Sequence, residues 1–356
     1  MLNTIITGSG SYIPEVEVEN GSFIENPFCF DDGRRIQNDN TKVIEKFQEI
    51  TGISSRRYVH DSQSCSQIAA ISAARAIEDA GINKEDIDLI IVAHNFGDVI
   101  KGSNQTDIVP SIASRVKHEL KIENENCIPY DIIFGCPGWI QGVIQANMYI
   151  KSGEAKKCLV IGSEVLSRVV DPFDRDTMIF ADGAGAVIIE GREESEKRGI
   201  LAHATVSHTT EEMKYLNIGE SFNKFGGDGT KYIKMKGHKI YAYSLTQVPK
   251  AMKACMDKIE LPIENLEKIL IHQANEKMDE AIVKRLYRLF GKKEIPENIM
   301  PMIIGRLGNS SVATVPTLYD LIMHDALKKH QLNPGDKILM ASVGAGMNIN
   351  CIAYKF

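Results

Sequence analysis

Apolar residues recur along this chain in two patterns, short unbroken runs and longer stretches with helical spacing. Residues 66–80 gather alanines and isoleucines on one face and stop at Gly81, which predicts an amphipathic helix. Residues 87–93 (IDLIIVA) then form an apolar run ending in His94, the mark of a strand buried on both faces. Helix followed by buried strand is the αβ unit of a parallel sheet. The stretch DIIFGCPGWIQGVIQ (131–145) runs from apolar residues into Gly135, Cys136, Pro137 and Gly138 and then takes helical spacing through Met148. It reads as strand, tight turn, cysteine and buried helix.

The same units return in the second half. A helix over 245–258 leads through Pro262 to the run LEKILI (266–271), which ends in His272. Helix 139–151 and strand 158–162 match helix 315–329 and strand 337–341, with glycine turns at Gly153 and Gly335. GAGAVIIEG (183–191) matches GAGMNINCIAY (344–354), a glycine loop feeding a last strand. Four units recurring in one order predict a duplicated α/β chain, residues 1–191 and 200–356, joined by the charged linker REESEKRG (192–199). Residues 20–46 read as irregular, 47–58 as loop and short helix, and 209–230 as one long loop.

Composition narrows the function classes. A net charge of −6 provides no overall attraction to nucleic acid or to an anionic membrane. No stretch is long and apolar enough to span a bilayer, and the N-terminal MLNTIITGSGSYIP lacks a basic leader pattern, so a cytoplasmic protein is expected. Seven scattered cysteines show neither CxxC nor Cys/His ligand spacing, which predicts reduced thiols and no metal. GSGSYI lacks the third glycine of a dinucleotide fingerprint, and no acidic ribose partner follows.

Proline is favoured at a first helical position, so Pro137 puts Cys136 at or beside a helix N-cap. The positive helix end, with a neighbouring base, favours the nucleophilic thiolate. The repeat sets Asn309 (GRLGNSSVAT) before the helix that corresponds to the one after Cys136, and His272 (IHQAN) at the end of a buried strand. In a pseudo-symmetric sheet such loop ends can converge.

Cys136 in FGCPGW, His272 in IHQAN, Asn309 in GNSSVAT and the segment DPFDRDTMIFADGAGA (171–186) together resemble the beta-ketoacyl-acyl-carrier-protein synthase III family. GSGSYIP (8–14), TGISSRR (51–57) and MKGHKIY (235–241) extend the resemblance nearly end to end. The resemblance implies the thiolase fold, duplicated α/β halves in five αβαβα layers, as a homodimer without cofactor. It implies that Cys136 takes an acyl primer, that His272 and Asn309 bind the malonyl thioester carbonyl, and that the backbone N–H groups of Cys136 and Ala345 form an oxyanion hole. Malonyl-acyl-carrier protein is the implied extender and acyl-coenzyme A or an acyl-carrier protein the implied primer donor.

Relatives with other chemistry differ at readable positions. Degradative thiolases carry a second cysteine in the C-terminal glycine loop, here SVGAGMN (342–348), and elongating ketosynthases a second histidine in place of Asn309. Type III polyketide synthases share Cys, His and Asn but add phenylalanine gatekeepers that are not evident here. A silent thiolase-fold partner subunit is the remaining alternative, and the intact trio argues against it. Pro137 replaces the usual alanine after the nucleophile, and Trp139 stands where phenylalanine is common and would narrow an acyl tunnel. Lys46 and Ile50 occupy positions where well-known members grip adenine, which leaves open a carrier-bound primer or a different hold on coenzyme A. Arg175, Lys277, Lys284 and Arg285 are candidates for carrier protein or phosphopantetheine phosphate, the last three on one predicted helix.

Overall fold

Nine strands hydrogen-bond in one continuous run in the computed structural model, which describes residues 1–103, 105–226 and 229–356. One side has the order Ile128–Ile132, Leu89–Ala93, Lys157–Val165, Asp182–Glu193, Leu2–Tyr12. The other has Lys268–Ile271, Lys337–Gly344, Asn348–Lys355, Gly199–Ser207. Their senses repeat. Leu89–Ala93 is parallel to Lys157–Val165, which is antiparallel to Asp182–Glu193, itself antiparallel to Leu2–Tyr12. Lys268–Ile271, Lys337–Gly344, Asn348–Lys355 and Gly199–Ser207 follow the same parallel, antiparallel, antiparallel sequence. The two sides meet at one pairing, Thr4 with Gly199. The first side's outer strand has no full counterpart, since at that edge of the second side Ile269 N–H donates to the Ile299 carbonyl at 2.8 Å without a strand forming.

Helices fill both faces. In chain order they are Asn40–Thr51 (α1), Cys65–Ala80 (α2), Ile112–Glu119 (α3), Gly138–Ser152 (α4), Gly237–Asp257 (α5), Glu276–Leu289 (α6), Ile304–Leu307 (α7) and Thr314–Met323 (α8). Because side chains alternate along a strand, each buried run serves two layers. Ile90 and Val92 pack outward against α2 and α3, while Ile91 faces α4 in the middle layer. On the second side Leu270 and Met340 join that same middle layer, and Ile269, Ile271 and Leu339 pack outward against α5 and α6. The result is helices, sheet, helices, sheet, helices, with α4 and α8 shared between both sheets. Fully burying each Val, Leu or Ile contributes about 1.5–3 kcal/mol, so the double-faced strands carry much of the core.

Local signals explain several boundaries. A capping box joins Ser64 and Gln67 at the start of α2, and Gly81 ends it in the left-handed region at φ 62°. Asp39 caps α1, a helix that starts inside the stretch 20–46 expected to be irregular and ends in the expected short helix, and Ser55–Tyr58 pairs with Val16–Glu19 instead of forming loop. The expected helix 315–329 ends at Met323, where Asp325 takes a left-handed φ of 56° and turns the chain so that Leu327 still packs against the core. α5 starts earlier than expected, at Gly237. The expected 209–230 loop contributes Leu216–Glu220 to a hairpin with Lys231–Met235; residues 227 and 228 lie outside the described residues. Between the halves only 194–198 remains a turn, tightened by an Arg198–Glu194 ion pair at 2.6 Å.

Candidate active site

The turn after Ile128–Ile132 brings Cys136 to the start of α4. Gly135 takes φ +67°, Pro137 is the N-cap, and Cys136 stands one residue before it, half-buried. A Cβ on Gly135 would lie 2.6 Å from the Ala345 nitrogen, so glycine is what lets the nucleophile loop lie against the loop that precedes the last strand. That second loop is itself tied down. Asn348 Nδ2 donates to the Ala345 carbonyl at 3.0 Å, and Asn350 Nδ2 donates to the Pro137 carbonyl at 3.3 Å. Burial pushes the Cys136 thiol up to about 11, with a hydrogen bond from Ser311 pulling it down and the charge of Glu164 pushing it up. The resting thiol is therefore protonated, and the helix end expected to favour thiolate is outweighed by desolvation.

Asn309 and His272 arrive from the second half. Asn309 is buried, and its backbone is stitched to the 179–181 segment: Asn309 N–H donates to the Ile179 carbonyl and Ala181 N–H to the Asn309 carbonyl, each at 2.8 Å. Its Oδ1 accepts from Ser311 N–H at 2.8 Å, which fixes the carboxamide and leaves its NH2 group as the donor. His272 follows Lys268–Ile271 and is held by its N–H to the Ala341 carbonyl at 2.8 Å. Burial pushes the imidazole down to about 4, partly offset by the Ser311 backbone, so the ring is neutral. Its Nδ1 is buried with no protein partner.

Ser311 touches all three. Besides meeting Asn309 and His272, it directs its Oγ to Cys136 Sγ at 3.4 Å, from a left-handed backbone with φ +53°. Ser311 lies within GNSSVAT, and the sequence alone gives it no role. Its position two residues after Asn309 in a turn was the available signal, since a short polar side chain there commonly bonds its own loop.

The remaining candidates scatter. Trp139 is only 1% exposed, packed in the middle layer, with its indole N–H donating to the Val160 carbonyl at 3.3 Å. Lys277 and Lys284 are exposed on α6, Lys277 lying 4.0 Å from Glu49 of α1. Arg285 turns toward α5, donating to the Leu245 carbonyl at 3.2 Å. Arg175 is exposed and 3.8 Å from Asp176. Lys46 and Ile50 are exposed on α1, with Lys46 paired to Glu49 at 2.8 Å. Cys351 is buried in the last strand. Among the described residues no cluster of His, Cys, Asp and Glu is placed to hold a metal, and no helix is long and apolar enough to cross a membrane.

On a duplicated five-layer frame, a helix-start cysteine joined through one serine to a neutral imidazole and an oriented carboxamide is the equipment of a thiolase-fold condensing enzyme. Residues 130–208 match the model of 3-oxoacyl-[acyl-carrier-protein] synthase III, and residues 256–356 match its C-terminal model. The chain belongs to this family. It is 30% identical to "Beta-ketoacyl-[acyl-carrier-protein] synthase III" of Porphyra purpurea, over 99% of this chain and 98% of the relative. It is 31% identical to the protein of that name from Rhodobacter capsulatus, over 97% of each. The crystal structure of the Aquifex aeolicus 3-oxoacyl-[acyl-carrier-protein] synthase III superposes with TM-score 0.79 at 28% identity, covering 99% of this chain and all of the other. A priming beta-ketosynthase from the R1128 polyketide pathway shares the fold, with TM-score 0.81 at 24% identity, over 99% of this chain and 96% of its own.

Proposed function

We propose that the chain catalyses decarboxylative Claisen condensation of an acyl primer with a malonyl-acyl-carrier protein, giving a beta-ketoacyl thioester. The observation that carries this reading is the Ser311 junction, which gathers the thiol of Cys136, the carboxamide of Asn309 and the imidazole of His272. Neutral His272 takes the thiol proton, Cys136 sulfur attacks the primer thioester, and the departing thiol leaves with a proton. The malonyl thioester then loses CO2, and the released electron pair moves onto its carbonyl oxygen. N–H donors from His272 and Asn309 stabilise that enolate, an interaction stronger in the transition state than in the ground state. The enolate carbon attacks the acyl-cysteine carbonyl, whose oxyanion lies against the N–H groups of Cys136 and Ala345. Collapse expels the Cys136 thiolate.

Several partners follow from this reading. Exposed Lys277 and Lys284 suit an acidic carrier protein, with Arg175 and Arg285 as further phosphate contacts. Exposed Lys46 and Ile50 offer no flat grip on adenine, which favours a carrier-bound primer over coenzyme A. A cytoplasmic homodimer is the working assembly.

Intact-protein mass spectrometry after incubation with a panel of acyl-coenzyme A and acyl-carrier donors tests the reading. One acyl mass should appear on Cys136, faster from carrier donors, and vanish in Cys136→Ser. An acyl group mapped to Cys158 or Cys351, or efficient saturation by acetyl-coenzyme A at micromolar levels, overturns the nucleophile or the donor assignment respectively.

A further inference from the structure

Behind Cys136 lies a line of buried polar groups that the condensation chemistry leaves unused. Glu164, near the end of Lys157–Val165, is fully buried. Its carboxylate accepts from the Asn95 backbone N–H at 3.1 and 3.3 Å and from Asn95 Nδ2 at 2.6 Å. Asn95 Nδ2 also lies 3.2 Å from Ser311 Oγ, which in turn lies 3.4 Å from Cys136 Sγ.

The chemistry of these groups gives the line one direction. An ionised carboxylate only accepts, so in the ionised form of Glu164 the Asn95 side chain turns its NH2 and not its carbonyl toward it. The second hydrogen of that NH2 then points to Ser311 Oγ and occupies a lone pair. A hydroxyl has a single hydrogen, and the partner left for it is the Cys136 sulfur. Ser311 cannot swing away cheaply, because its left-handed backbone is pinned by the N–H bond to Asn309 Oδ1. Backbone strain of this kind persists only where surrounding contacts enforce it. The other groups bearing on Glu164 are spoken for: His94 is bound to Asp131 at 2.9 Å and accepts from Gly97 N–H at 3.0 Å, and Cys65 is bonded to Ser163 at 3.3 Å.

We propose that Glu164 and Asn95 are positioning residues that lock the Ser311 hydroxyl as a one-way donor to Cys136, so that Ser311 stabilises the thiolate as it forms and as it leaves. The inference rests on Cys136 being the nucleophile. It adds three residues, two of them from the first half, to the equipment of the site.

The test uses the full-length chain and reads two things: alkylation of Cys136 by iodoacetamide across pH, and single-turnover acylation. Hydrogen bonds to charged groups imply that Ser311→Ala slows alkylation at neutral pH on the order of ten- to hundredfold and moves its profile to higher pH. Asn95→Leu should reproduce part of that shift, and Glu164→Leu a smaller part, because it also removes a charge that pushes the Cys136 thiol up. In the Ser311→Ala background Asn95→Leu should add nothing and Glu164→Leu should slow alkylation no further, because their support of the thiolate runs through the hydroxyl, whereas a merely structural role would add its own loss. Wild-type alkylation in Ser311→Ala, or additive double variants, overturns the proposal. If wild-type protein alkylates at Cys136 but is never acylated there, the nucleophile reading fails instead. Should Glu164→Leu not fold, Ser311→Ala and Asn95→Leu decide the matter alone.

Discussion

Gly344 and Cys136 meet backbone to backbone. A Cβ on Gly344 would press on the Cys136 nitrogen and stand 2.7 Å from Pro137 Cδ and 2.9 Å from Cys136 Cβ. The φ of Gly344 is −165°, extended and open to any residue, so closeness alone demands glycine. We expect Gly344→Ala to part the two loops while both sheets stay folded. A displacement of about 1 Å costs on the order of 100-fold in rate, read as the loss of single-turnover acyl-enzyme formation with an unchanged circular dichroism spectrum. Wild-type acylation in this variant would mean that the loops tolerate separation.

Asn309 and His272 should separate into different steps. Asn309→Ala should still accept an acyl group on Cys136 yet fail to decarboxylate malonyl-carrier protein, by on the order of 10²- to 10³-fold. His272→Ala should slow decarboxylation comparably and also acylation, since it removes the proposed base. Following acyl-enzyme and CO2 independently distinguishes them. Lost acylation with intact decarboxylation in Asn309→Ala would end its role as an enolate donor.

Asp279 invites a stabilising change. It is fully buried in α6, and neither carboxyl oxygen has a hydrogen-bond partner among the described residues. Burial, with Glu276 and Glu280 nearby, pushes its carboxyl well above the ordinary range. A buried polar group without a partner costs about 1–3 kcal/mol, so Asp279→Val should raise the unfolding midpoint in urea. A lower midpoint would show that the carboxyl is needed there.

Stability should carry a readable pH signature. Burial pushes Glu164 up to about 7 and Asp182 up to about 6, so between their ordinary values and these the folded chain holds more protons than the unfolded one. Their contribution is present below the ordinary carboxylate range and is lost as pH rises to about 7. His272, pushed down to about 4, contributes oppositely: the unfolded chain holds the extra proton between about 4 and 6.5, so its contribution falls away on acidification. Glu164→Gln keeps an acceptor for Asn95 but cannot titrate. The wild-type melting temperature should therefore decline relative to Glu164→Gln from pH 4.5 to 7.5, and a flat or widening difference would contradict the assignment.

The repeat was legible because residues 87–93 and 266–271 must be apolar on both faces to serve two helix layers. The positions of Cys136 and Asn309 at element boundaries were legible because Gly135, Pro137 and Gly308 announce them, and that of His272 because an apolar run ends there. Ser311 was not, for its meaning depends on Asn95, which is 216 residues away in sequence. The hairpin within 209–235 was hidden for a related reason. Its second strand is anchored by Lys234, which reaches Asp171 at 2.5 Å and Asp174 at 3.0 Å, a tether that no local pattern displays. The overrun of helix 315–329 came from helical propensity in a segment that the left-handed Asp325 interrupts.

The shared middle layer has a consequence for biosynthesis. On a translating ribosome α4 emerges long before α8, yet α8 supplies part of the apolar cover for the inner face of the first sheet. Until the second half arrives, the inner faces of Leu2–Tyr12 and Asp182–Glu193, with Ile6, Val187 and Ile189, lack the cover of α8. A nascent chain stalled near residue 191 therefore presents a sticky surface and is a natural client for a holding chaperone. The two halves repeat each other in outline but mature as one cooperative unit.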